Sequence, residues 1–183
     1  MATAEDKEEL LLSCRYGDIE EVQQFVVKFG AESLEGARDE NGNTALHMVC
    51  ANGHGDILDY LLPKVKPDLL ICRNNAGSIP LHWAALNKHL SIIKRLVEYP
   101  DGPGPLSINC KNLAGRSPLA EAELSEWEEG ALWLTSKMQS EDSNNEAEEE
   151  ISADDVRDIE VEIQDADGGV ARMTLSSSKD KSS

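Results

Sequence analysis

The apolar positions of this chain fall into a pattern that recurs. From Asn43 to Leu62 it reads NTALHMVCANGHGDILDYLL: a Leu-His start, a short apolar helix, a Gly-His turn and a second apolar helix. Thirty-five residues on, Ser78 to Val97 follows the same plan as SIPLHWAALNKHLSIIKRLV. Leu46/Leu81, His47/His82, Asn52/Asn87, His54/His89, Ile57/Ile92 and Leu61/Leu96 are identical pairs. A period in the low to middle thirties predicts stacked repeats rather than a closed globule. Each unit opens on a polar turn, Arg38–Gly42 and Arg73–Gly77, whose glycine suits a positive φ. Thr44 is placed to cap the first helix of one repeat, and Pro80 takes a first helical position in the other.

Weaker copies flank these two. In residues 5–29, Leu10, Leu11, Leu12 and Cys14 begin an apolar helix, and Gly17 aligns with Gly53 at an offset of 36. Val22, Phe25 and Val26 continue at helical spacing, while Glu5, Asp6, Glu8, Glu9, Glu20, Gln23 and Gln24 leave the other face polar. The loop Asp101–Pro105 stretches the next offset to 38, and a fourth unit opens at Asn112–Leu119. Leu119, Ala122, Leu124, Leu132 and Leu134 are its expected apolar side; Glu121, Glu123, Glu126, Glu128 and Glu129 are its wet side. Polar end units close such a stack, and four exceed the roughly three that stability requires. The expected architecture is an all-α solenoid over residues 5–138, with helix-turn-helix repeats at about 5–29, 38–62, 73–97 and 111–136.

Past Met138 the pattern ends and an acidic tail begins, expected to be mostly disordered over residues 139–183. Between Glu141 and Asp167 stand thirteen acidic residues and one basic one, a net −12 out of −18 for the whole chain. Ile159, Val161 and Ile163 alternate with Glu160 and Glu162 before a Gly168-Gly169 turn and VARMTL, a marginal β-hairpin pattern set against a plain solvated tail. This charge disfavours nucleic acid as a direct ligand, because phosphate binding needs clustered Lys and Arg. A basic protein partner is electrostatically natural. No run of about 18 apolar residues predicts a membrane span. The acidic N-terminus does not read as a signal peptide, so a soluble intracellular chain with reduced thiols is expected.

Candidate chemistry is sparse. Cys14 and Cys50 lie 36 apart and Cys72 and Cys110 lie 38 apart, each pair following the repeat period, with no CxxC among them. Small thiols standing in for Ala or Val account for that without zinc or disulfides. There is no phosphate-binding glycine loop, nucleophile elbow or HExxH helix. Neither enzymatic activity, a cofactor nor a metal is expected.

The Leu-His units resemble the ankyrin-repeat family. That resemblance implies that His47 and His82 hydrogen-bond a neighbouring turn, with the same structural role for His54 and His89. It also marks departures: Leu11 stands in place of histidine in the first repeat and Ala120 in the last. Ile79 replaces the usual Thr, removing one side-chain hydrogen bond, and Lys88 replaces the usual turn Gly, which puts that turn's geometry in question. Carried over by position, the family's concave partner-binding face falls on turn residues Arg38, Glu40, Asn41 and Asn43; Arg73, Asn75 and Ser78; and Lys111, Leu113 and Arg116. On the first helices it falls on Met48, Asn52, Trp83, Leu86, Asn87, Glu121 and Leu124. Trp83 is read either as an interface aromatic or as helix packing, and apolar Leu86 at a usually exposed position as a contact.

The whole layout is similar to a narrower group, the fungal ankyrin-repeat chaperones dedicated to small-subunit ribosomal protein number three, which has KH-type domains. The shared features are four repeats, Leu81-His82-Trp83-Ala84 in the third, Ala120-Glu121-Ala122-Glu123 in the last, and the acidic tail. That resemblance implies a monomeric chaperone that holds a newly made basic ribosomal protein of the small subunit soluble and escorts it to ribosome assembly. It binds neither nucleic acid nor membrane directly, and its expected location is cytoplasmic and nuclear. The alternative is a signalling or transcription adaptor that holds a regulatory protein on the same face.

Overall fold

The computed structural model describes residues 1–148, 159–164 and 170–175, with side chains over residues 1–139. Helices α1 (Ala4–Tyr16) and α2 (Ile19–Phe29) form the first repeat, and α3 (Ala45–Asn52) and α4 (Gly55–Leu61) the second. A one-turn helix, α5 (Pro67–Leu70), leads to the third repeat, α6 (Pro80–Leu86) and α7 (Leu90–Val97). The fourth is α8 (Pro118–Leu124) and α9 (Glu128–Glu148). The first helices α1, α3, α6 and α8 pack successively into an inner layer, with α2, α4 and α7 behind them. The expected all-α repeat stack is thus formed, and no described helix is long and apolar enough to cross a membrane.

Helix ends follow local chemistry. Thr3 Oγ1 accepts the Asp6 N–H while the Asp6 carboxylate accepts the Thr3 N–H, closing a capping box on α1. Ser117 Oγ accepts the Ala120 N–H at the start of α8, where Pro118 takes the first position. Each first helix ends on a left-handed residue: Gly17 at φ 85, Gly53 at 78, Lys88 at 62 and Glu126 at 52. The Lys88 turn therefore keeps the geometry of its glycine equivalents, at the steric expense of a Cβ in that region.

Between the layers Leu46, Ile57, Leu58, Leu61, Leu81, Ile92, Ile93 and Leu134 are buried, each contributing about 1.5–3 kcal/mol. The fourth repeat corrects part of the expected core: Leu124 and Leu132 are exposed, each 64% accessible. Trp127, just before α9, and Gly130 and Leu134 within it face inward at i, i+3 and i+7, which places Leu132 on the opposite side. The Trp127 ring folds over Gly130, where a Cβ would overlap it.

The four histidines stitch the repeats. His47 Nε2 donates to the Ser78 carbonyl (2.9 Å) and His82 Nε2 to that of Arg116 (3.0 Å), each reaching forward into the next turn. His54 Nε2 donates to Arg15 O (3.0 Å) and His89 Nε2 to Ala51 O (3.1 Å), each reaching back into the preceding repeat. Those backward rings sit on glycine. A Cβ on Gly17 would lie 2.6 Å from His54 Cε1, and one on Gly53 would lie 2.8 Å from His89 Cε1.

The chain divides into a unit over Met1–Asp142 and a second over Ser143–Ser183. Helix α9 continues through residue 138 to Glu148. In the second unit β1 (Ile159–Gln164) and β2 (Val170–Leu175) pair antiparallel, Ile159 opposite Leu175 and Ile163 opposite Ala171. Over 149–158, 165–169 and 176–183, the expected disorder of the tail falls outside the described residues.

Candidate protein-binding face

The turn tips are rigid because one Asx side chain organises each. The Asp39 carboxylate accepts the N–H groups of Asn41 (2.9 Å) and Asn43 (2.7 Å). Asn74 Oδ1 accepts those of Ala76 and Ser78, and Asn112 Oδ1 those of Ala114 and Arg116, all at 3.0 Å. Neighbouring tips are then joined backbone to backbone, the Asn75 N–H to Asn41 O (2.9 Å) and the Leu113 N–H to Ala76 O (3.0 Å). Asn75 Nδ2 adds a bond to Glu40 O, and Arg73 Nη1 reaches the carbonyls of Gly77 (2.8 Å) and Lys111 (2.6 Å). Arg38 spans the preceding junction in the same way, with Nη1 near the carbonyls of Gly42 and Arg73.

This accounting sorts the residues inferred for partner contact. Asn43, Ser78 and Glu121 are buried and bonded inside the stack. Asn43 Oδ1 accepts from Asn74 Nδ2 (2.8 Å), and Ser78 Oγ lies 3.4 Å from Asn112 Nδ2. Glu121 accepts from Asn112 Nδ2 (3.1 Å) and Arg116 Nη1 (3.4 Å). Asn52 and Asn87 each turn an exposed amide back onto their own helix, to Met48 O and Trp83 O. Glu40, Asn41 and Lys111 stay exposed at the tips.

The remaining residues make an apolar surface. Leu86 is 46% accessible, Leu124 64% and Leu113 81%. Trp83 is half-buried, and its shielded Nε1–H has no hydrogen-bond partner among the described residues. Leu113 lies over Gly77, its Cγ 3.0 Å from where a Cβ would stand.

The first repeat supplies surface that was absent from the sequence-inferred face. Between α1 and α3 opens a cavity of about 480 Å³, floored by Leu11, Leu12 and Met48 and rimmed by charged side chains including Glu8, Arg15 and Glu40. Leu12 (45% accessible) stands 36 residues before Met48 and Tyr16 (74%) 36 before Asn52. The same alignment that matched Gly17 to Gly53 would have found them.

The buried histidines and thiols of this unit are structural. His47 Nδ1 accepts the Thr44 N–H (3.1 Å), so its proton sits on Nε2, and burial pulls the ring's pKa down to about 4. Thr44 Oγ1 also lies 2.9 Å from that Nδ1. In the third repeat His82 Nδ1 accepts only the Ile79 N–H (3.1 Å), the hydroxyl being lost with Ile79, and burial lowers the pKa of His82 too. Burial pushes the Cys14 thiol up to about 12 and the Cys50 thiol up as well, keeping both protonated. Among the described residues no group of three or more His, Cys, Asp or Glu is placed to hold a metal ion.

Residues 10–112 match the family described as ankyrin repeats (3 copies). An ankyrin repeat-containing protein of Schizosaccharomyces pombe is 32% identical over 119 residues, 65% of this chain and 77% of that protein. The liver isoform of mitochondrial glutaminase from Rattus norvegicus is 32% identical over 92 residues, but the match spans only 15% of that enzyme. Among solved structures, a chain from the complex of yeast ribosomal protein Rps3 with its chaperone Yar1 aligns with a TM-score of 0.67 at 28% identity. The alignment covers 73% of this chain and 93% of that one.

Proposed function

The chain belongs to the ankyrin-repeat family, and from that premise we propose that it is a dedicated chaperone for a newly made, basic small-subunit ribosomal protein. It holds that protein soluble by binding alone, without catalysis, and escorts it to ribosome assembly in the cytoplasm and nucleus. The observation that carries this reading is the likeness to a chain of the Rps3–Yar1 complex over 93% of that chain's length. Two physical features support it. The net charge of −18 attracts a cationic client and masks its affinity for RNA. Leu86, Leu113 and Leu124 offer apolar anchors on the face built by the first helices and turns. Release follows when rRNA competes for the client's cationic surface.

The test is co-expression of yeast Rps3 with this chain, and with a Trp83→Ala, Leu86→Ala variant, scoring soluble Rps3 and co-purification. Rps3 kept soluble by the wild type and lost with the variant is the expected result. Rps3 equally insoluble in every case removes this client and leaves an adaptor role. A tagged chain confined to one compartment would correct the location.

A further inference from the structure

The binding face differs in chemistry along its length. At the α6–α8 end the exposed side chains are Leu86, Leu113 and Leu124 beside half-buried Trp83. At the α1–α3 end lies the cavity of about 480 Å³, with an apolar floor and a charged rim. Two charges on that rim, Asp39 and Arg38, are held by neighbours. Asp39 organises its own turn, and Arg38 bridges two tips. Lys7 Nζ leans over Gly36, 3.2 Å from a Cβ position there, and the Arg15 guanidinium sits 6.0 Å from the Tyr16 ring centre. The carboxylates of Glu8 and Glu40 are exposed and have no partner among the described residues. An apolar floor beneath unpaired carboxylates suits a long cationic side chain, whose methylene stem packs on Leu12 and Met48 while its charged end meets the rim.

We propose that a partner polypeptide lies along this face in a fixed register, with apolar side chains on the α6–α8 seam and a lysine or arginine in the α1–α3 cavity. The orphan Trp83 Nε1–H lies beside the apolar end, available to a partner carbonyl if the ring shifts on binding. Helices in contact lie about 8–10 Å apart, so two helix spacings separate the seams by about 16–20 Å. The recognised segment carries its apolar cluster and its cation about 11–13 residues apart if helical, or about 5–6 if extended. The proposal rests on the reading of the partner as a basic protein, and it adds which part of that partner meets which repeat.

The experiment titrates the full chain with fluorescently labelled yeast Rps3 in about 50 mM and about 500 mM salt. Glu8→Gln with Glu40→Gln is expected to weaken binding about tenfold in low salt and within about twofold in high salt. Leu86→Ser with Leu124→Ser is expected to weaken it about tenfold in both. A carboxylate pair without effect in low salt, while the wild type binds, overturns the register and leaves the chaperone reading intact. If the wild type does not bind Rps3, the chaperone reading fails, and a random peptide library selected on the immobilised chain decides the register. Enriched peptides that pair an apolar cluster with a cation at the stated separation, lost on the Glu8→Gln, Glu40→Gln chain, support it. Enrichment without that pairing, or none, overturns it.

Discussion

Acid should destabilise this fold through His47, and the size of the effect follows from the structure. The ring is buried and neutral, its Nδ1 accepting from Thr44 and its Nε2–H given to Ser78. Its pKa is about 4 when folded, against an ordinary 6.5 once the chain unfolds. Because the folded value is the lower one, the unfolded chain takes up the proton first as the pH falls through 6.5. Stability is therefore full at neutral pH and is lost progressively towards pH 4. Between pH 7 and pH 5.5 the linkage amounts to about 1.2 kcal/mol from His47 alone. That window stays above the isoelectric point of about 4.5 expected from the sequence, near which low net charge favours association. Urea titrations of the wild type and of His47→Gln at both pH values isolate the term, because other titrating groups are shared. The substitution lowers stability at pH 7, since a buried junction loses its bond, but it should flatten the pH dependence by about that amount. An unchanged slope in His47→Gln would refute the assignment of a buried neutral imidazole.

Lys88→Gly and Glu126→Gly should each raise stability by about 0.5–1 kcal/mol, because both residues sit at positive φ; a lower melting temperature would contradict this. Trp83→Phe removes a shielded N–H that has no partner among the described residues, so thermal unfolding should be unchanged or shifted upward, whereas a clear drop would mean the indole is bonded in solution. Deleting residues 149–183 leaves α9 whole and removes much of the acidic run. Stopped-flow association with Rps3 should then slow and lose much of its salt dependence, and unchanged kinetics at low salt would remove the tail from the encounter.

The repeat frame was readable because each junction depends on side chains with a specific bond to make. A buried imidazole needs both a donor and an acceptor, so the Leu-His positions declared where one turn meets the next. What period and family likeness left open was commitment. Asn43, Ser78 and Glu121 stand at positions that the family resemblance implied for partner contact, yet here their polar groups are bonded inward. Only the three-dimensional neighbours reveal that. Leu12 stands in a run of three leucines that begins an apolar helix, but the buried stripe takes Leu10 and Leu11 and leaves Leu12 facing out. In the last repeat, the phase of α9 depends on Trp127 lying over Gly130, a contact no apolar count anticipates.

The directions in which the histidines reach grade the stack from middle to ends. The junction of the second and third repeats carries both a forward bond, from His47, and a backward one, from His89. Of histidine bonds the first junction has just the backward one of His54, since Leu11 replaces the forward histidine. Of histidine bonds the last junction has just the forward one of His82, since Trp127 follows the turn where a histidine would stand. In a solenoid whose cohesion is a chain of nearest-neighbour terms, this makes the central pair a keystone and the terminal repeats its hinged leaves. Amide exchange should then be slowest in α3 and α6 and quicken outward, so both ends of the face can breathe open around a partner while the middle holds its shape.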